Sequence, residues 1–379
     1  MERQIGRLGI APITAIGIGH NGDPGINGGP EFYLNDKLNL NIVYSVYFTP
    51  RTREEIGDEL GVSPAFLDDR LTFLEENGFI VKTTGKRYTT YVCFEPETNS
   101  LQLADRLYEI RLQAAKTLVE EYVPIVRDAI TDIEKVYIPS GNRELFEAAV
   151  IFYAVANKCG ISIEKDLSKY FMKTTAGGDF YTIVDLPQTL SDPEYEPAHD
   201  LTSCWACGSM WRSSEKYPSV ASWSVDSKYC SRKDNWKNNL TSDYEYLYEY
   251  IGGNLPETTA NKEKYKRLKE KEFLTEDNQV NIMIVEDSCQ HFFEQIPTLD
   301  ENIKRKFADV ALEFAMIYAK HYPSQMQDLV ISHRVREFIG VGVAVMVMDI
   351  LYENGTFKVL TEREKVTSGL LMFSDIFPL

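Results

Sequence analysis

An α+β fold, predominantly helical, is what this sequence predicts, and three observations predict it. Apolar residues recur at helical spacing over 101–134, over 143–159 and through most of 300–379. Short alternating runs bounded by turn residues, at 79–94 and 168–186, read as hairpins between the helical stretches. The composition, 44% hydrophobic and 26% charged over 379 residues, is that of an ordinary globular chain with room for two or three domains.

Residues 1–30, rich in Gly, Asn and Pro, read as an irregular arm. The arm holds Gly17-x-Gly19-x-x-Gly22, but Asp23-Pro24-Gly25 follows, and a dinucleotide-binding loop needs a helix to begin there. Residues 36–48 suit a mostly buried helix. Thr52 with Glu55 forms a capping box for a second helix, which stops at Gly61. Ser63 caps a third helix with Pro64 at its first position, and Asn77-Gly78 ends it. Its inward positions are Ala65, Leu67, Leu71 and Leu74, while Phe66 and Phe73 share an outward face. Two strands, 79–82 and 87–94, then flank a hairpin turn at 83–86.

Three helices and a hairpin, in REEIGDELGVSPAFLDDRLTFLEENGFIV followed by TTGKRYTTYV, resemble the winged helix-turn-helix domains of bacterial transcription regulators of the MarR and ArsR type. The resemblance covers residues 31–96, about a sixth of the chain. It implies that the third helix faces DNA and that the hairpin is a wing. The residues in those positions are Arg51, Arg53, Ser63, Phe66, Asp69, Arg70, Thr72, Lys82, Lys86 and Arg87. Seven Lys or Arg against eleven Asp or Glu leave this segment at net −4, within a chain at net −17. The expectation is therefore DNA contact that is weak or of low specificity.

Beyond residue 98 the sequence predicts linker or dimerisation helices over 99–165, with Pro124 splitting the first, and a β-rich aromatic region over 166–255. A mainly helical region, 256–379, follows. The order helix-then-hairpin after the basic stretch 261–272, net +3, faintly echoes a second winged helix, but a solvated face laced with i,i+4 ion pairs explains it. Ala176-Gly177-Gly178-Asp179 reads as a hairpin turn, and Phe180 stands where a diguanylate cyclase needs an acid.

All four tryptophans fall within 205–236. Trp205, Trp211, Arg212, Trp223, Tyr229 and Trp236 are the candidate small-molecule wall, with a compact aromatic core as the favoured rival. Cys204, Cys207, Cys230 and His199 lack the second close pair that a structural zinc wants, so no metal or other cofactor is expected. No catalytic histidine spacing, Gly-x-Ser-x-Gly elbow or His-Glu-x-x-His motif occurs, and no enzyme is expected. The longest apolar run near the end, 340–348, is too short to span a bilayer, and nothing resembles a signal peptide. These readings converge on a cytoplasmic one-component regulator, a wing joined to a sensing or assembly region: a homodimer whose partners are DNA, the transcription machinery or another protein, and a small-molecule effector. Two alternatives stand beside it: a scaffold whose winged helix docks protein and binds no DNA, and a small-molecule-binding enzyme built on the aromatic region.

Overall fold

A computed structural model describes residues 13–200, 209–212, 220–224 and 240–373, with the backbone alone for 209–212, 220–224, 240–242 and 289. The chain is mixed α and β, with helix well in excess of strand. In chain order the first elements are β1 Gly17–Asp23, α1 Glu31–Leu34, α2 Lys37–Ser45, α3 Arg53–Leu60 and α4 Pro64–Glu76. After them come β2 Val81–Lys82, β3 Tyr88–Thr89, β4 Cys93–Phe94 and β5 Thr98–Asn99. The middle holds α5 Leu101–Glu121, α6 Val123–Ala129, β6 Val136–Tyr137, α7 Arg143–Lys158, β7 Met172–Lys173, β8 Asp179–Asp185 and β9 Thr189–Leu190. The rest is β10 Ser209–Arg212, β11 Val220–Ser224, α8 Leu240–Ile251, α9 Lys262–Glu270, β12 Met283–Glu286, α10 Cys289–Gln295, α11 Glu301–Ala319, α12 Gln327–Arg336, α13 Val341–Glu353, α14 Glu362–Thr367 and β13 Leu370–Phe373.

These elements form two compact units, each drawn from three stretches of chain rather than from consecutive domains. The first takes residues 1–105, 162–198 and 310–335; the second takes 106–161, 199–309 and 336–379.

In the first unit, α3 starts on a complete capping box. The Thr52 hydroxyl accepts from Glu55 N–H at 3.2 Å, and the Glu55 carboxylate accepts from Thr52 N–H at 2.9 Å. Gly61 ends it with φ +67°, a conformation that costs a Cβ-bearing residue about 1 kcal/mol or more. Ser63 precedes α4, but its side chain makes no cap hydrogen bond; Pro64, with its pre-set φ, opens the helix instead. Leu67, Leu71 and Leu74 are buried, as their spacing requires, whereas Ala65 is exposed. Phe73 is half-buried, with its ring 5.7 Å from that of Tyr33. The outward pairing of Phe66 with Phe73 is thereby corrected: α1 covers one edge of α4 and leaves Phe66 alone outside.

The hairpin is shorter than the alternation suggested. Only β2 and β3 pair, Val81 with Thr89 and Lys82 with Tyr88, and the Arg51 backbone joins Tyr88 on its far side. β4 instead pairs parallel with β8. The arm is likewise no irregular segment along its whole length, because Gly17–Asp23 pairs antiparallel with Asp185–Asp179 over seven residues. Glycine-rich sequence gives no alternation to read, and the partner lies some 160 positions away. Behind this sheet, Tyr33, Ile42, Phe79, Phe94 and Phe180 share one core with Tyr322, Met326 and Leu329.

The second unit is built on a mixed sheet in the order β10-β11-β13-β12-β6, with β12 and β13 parallel and the other neighbours antiparallel. α7 packs against α13, whose inner residues Val343, Ala344, Val347 and Met348 are buried. A second core joins Tyr244, Leu247, Leu268 and Phe273 to Leu371 and Phe373 of the sheet. Asp243 of α8 has no exposed side-chain surface and meets Arg267 Nη2 and Lys271 Nζ, each at 2.7 Å. Lys266 pairs weakly with Glu263 and Glu270. The expected lacing of i,i+4 pairs is therefore corrected: Lys266 makes such pairs, whereas Arg267, Lys271 and Lys264 reach Asp243 and Glu249 of α8 and tie the two helices together. Pro124 splits the long helical pattern at Tyr122, between α5 and α6. Among the described residues no helix is long and apolar enough to cross a membrane.

Candidate functional site

The candidate nucleic-acid interface is the outer surface of α3, α4 and the hairpin. Each nominated cation on it has been placed, and five of the six have carboxylate partners within the same segment. Arg51 Nη1 meets Glu59 Oε2 at 2.5 Å. Arg53 donates to Asp68 at 2.8 Å and to Glu54 at 3.0 Å. Arg70 reaches Asp36 at 2.9 Å, the same carboxylate that caps α2 by accepting from Leu38 and Asn39 N–H. Lys82 donates to Glu75 at 2.6 Å. Arg87 forms a two-pronged pair with Glu55, at 2.7 and 2.9 Å, and donates to the Pro50 carbonyl at 2.8 Å.

Lys86 is different. It sits at the hairpin tip, exposed, with φ +58°, and it enters no ion pair among the described residues. The neutral or acidic members are also placed. Ser63, Phe66, Asp69 and Thr72 are all exposed, and the Thr72 hydroxyl donates to the Asp68 carbonyl of its own helix. Phe66 retains 64% of its surface in contact with solvent.

The electrostatics follow from these pairs. Hydrogen bonds from Thr52 N–H and then from Arg87 hold the Glu55 carboxyl below its ordinary value. Asp68 raises Arg53, and Glu75 raises Lys82. All of these cations except Lys86 already have an anion beside them. A phosphate would have to exchange with that anion. Because exposed pairs contribute only about 0–1 kcal/mol each, such exchange is cheap at the solvent edge, for Lys82 above all. It is dearer for Arg87, whose guanidinium also ties the hairpin to the residues before α3.

Sequence reading found the cations and missed the carboxylates that hold them. Lys82 and Glu75 are seven positions apart across a turn, and Arg87 and Glu55 are thirty-two apart, so no local periodicity joins them. Glu55 alone carried a signal, as the third residue of the capping box.

A second polar cluster of the first unit was not foreseen at all. Glu95, just past β4, accepts through Oε2 from Tyr318 at 3.1 Å, Tyr322 at 2.7 Å and Arg334 at 2.6 Å. The Arg334 guanidinium lies 4.1 Å from the centre of the Tyr318 ring. Burial pulls Arg334 down, but Glu95 together with Tyr318 and Tyr322 outweighs it and keeps the guanidinium charged. Burial, with Glu95 adding to it, drives the Tyr322 hydroxyl up, so it stays a donor. The cluster holds helix to sheet through one carboxylate oxygen, while Arg334 Nε stays buried without a hydrogen-bond partner among the described residues.

No family model, curated protein or solved structure matches this chain.

Of the nominated ligand wall, Trp211 and Arg212 lie on β10 and Trp223 on β11, which brings these strands side by side in the mixed sheet of the second unit. Trp205, Tyr229 and Trp236 lie outside the described residues, as do Cys204, Cys207 and Cys230. His199 stacks on Tyr108 at 4.5 Å and approaches Glu109 at 3.4 Å. Among the described residues no three His, Cys, Asp or Glu side chains converge as a metal site would require.

Proposed function

We propose that the chain is a transcription regulator in which residues 31–96 form a winged helix that holds DNA loosely, through the hairpin rather than through base reading by α4. The observation that carries this reading is the order α2, α3, α4, β2, β3 with Lys86 unpaired at the hairpin tip and Lys82 half-exposed behind it. Two phosphate contacts from a wing need no particular sequence. Asp68 and Asp69, exposed on the first turns of α4, oppose entry into a groove lined with phosphate. The second unit then serves sensing or assembly, and α5 is the element through which two copies pair.

Fluorescence anisotropy of labelled random duplex DNA against the full chain tests this. Binding at low salt should weaken as salt rises. In Lys82→Ala/Lys86→Ala the slope of log K against log salt should fall by about 1.8, the share of two phosphates. An absence of binding at the lowest salt, or an unchanged slope in the variant, refutes it. Arg87 is unsuitable for this purpose because its replacement would also release the hairpin.

The internal pairing of Arg51, Arg53, Arg70, Lys82 and Arg87 favours a second reading, a docking module that contacts no DNA.

A further inference from the structure

The first turns of α4 present Ala65, Phe66, Asp68 and Asp69 to solvent. We propose that this face docks a basic protein segment that carries one apolar anchor side chain.

The shape of the patch argues for a single anchor. Phe73 is turned onto Tyr33, so the face carries one aromatic ring and not a stripe. An isolated ring held on a rigid helix, with its surroundings polar, is how many interfaces concentrate their affinity in one residue. The charge of the patch selects the partner. Asp68 and Asp69 are exposed on the same turns as Phe66, and the cations near them are already paired, Arg53 with Asp68 and Glu54 and Arg70 with Asp36. A surface of this sign steers lysine- or arginine-bearing segments and repels phosphate. It also repels a second copy of this chain, which is acidic overall at net −17. The partner is thus cationic with an apolar side chain, and it is protein rather than nucleic acid. This surface is distinct from the hairpin lysines, so it stands whether or not the wing touches DNA.

A fluorescein-labelled amphipathic peptide of lysine and leucine, at physiological ionic strength, is the probe. The full chain should bind it. Phe66→Ala and Asp68→Asn/Asp69→Asn should each weaken binding about tenfold, and a lysine–serine peptide should bind wild type no better than the leucine peptide binds Phe66→Ala. Peptide addition should slow amide hydrogen exchange along the first turns of α4. Lys82→Ala/Lys86→Ala should bind the peptide as wild type does, which separates this surface from the wing. Phe66 is exposed, so its replacement leaves the fold intact. Absence of peptide binding overturns the proposal. So does equal binding by wild type and both α4 variants, since the peptide would then be following the overall charge.

Discussion

Replacing Glu95 by alanine should be among the most damaging single changes in the first unit. The substitution removes one oxygen that accepts from three donors: Tyr318 at 3.1 Å, Tyr322 at 2.7 Å and Arg334 at 2.6 Å. It leaves a guanidinium over the Tyr318 ring without the carboxylate it is hydrogen-bonded to. Breaking a buried pair from one side costs about 3–5 kcal/mol. The side chains of Glu95 and Arg334 keep 15% and 28% of their surface exposed, so water re-enters and the low end applies, about 3 kcal/mol. For a unit of this size that is a fall of about 6–12 °C in the midpoint of its thermal transition. Differential scanning calorimetry reads it directly. The double change Glu95→Leu/Arg334→Met removes both charges and should cost less than Glu95→Ala alone, because no ion is left stranded. A midpoint shift under about 2 °C in the single variant, or a double variant less stable than the single, would refute the account of this cluster.

Three further outcomes are expected. Asp192 accepts from Leu101 and Gln102 N–H and from the Ser100 hydroxyl, and those backbone hydrogen bonds hold its carboxyl below the ordinary range. Its contribution is therefore present above the unfolded carboxyl value of about 4 and is lost as pH falls through the folded value; in Asp192→Asn, urea midpoints measured from neutral to acid pH should lose that part of the decline. Asp243→Ala strands Arg267 and Lys271 and should destabilise the second unit by about 3 kcal/mol, seen as a lower calorimetric midpoint and faster exchange in α9. Phe66→Ala, by contrast, should move stability by no more than about 0.5 kcal/mol in either direction, measured by the same melting experiment.

The local devices of the first unit were legible because their causes are local. Thr52 with Glu55, Gly61 and Pro64 mark helix ends within four residues, and Leu67, Leu71 and Leu74 mark a buried stripe within one helix. What could not be read depends on partners far along the chain. β1 becomes a strand because β8 is beside it, and its glycines carry no pattern of their own. β4 leaves the hairpin for the same β8. Phe73 left its expected outward face because α1, only four residues long, sets Tyr33 against that flank of α4. The same holds for the candidate site: residue types named the cations, but their pairing with carboxylates is set by tertiary packing.

The three-part make-up of the first unit has a consequence for biosynthesis. Its core needs Phe180 of the middle stretch and Tyr322, Met326 and Leu329 of the last. A nascent chain that has just released residue 105 must wait for about 230 more before the unit can close. At roughly 5–20 residues per second that interval is on the order of 10–50 s. Throughout it, Phe79 and Phe94 lack part of their final cover. A ribosome-bound chaperone that occupies them would find its window here, and a gene fragment encoding residues 31–98 alone would leave that window permanently open.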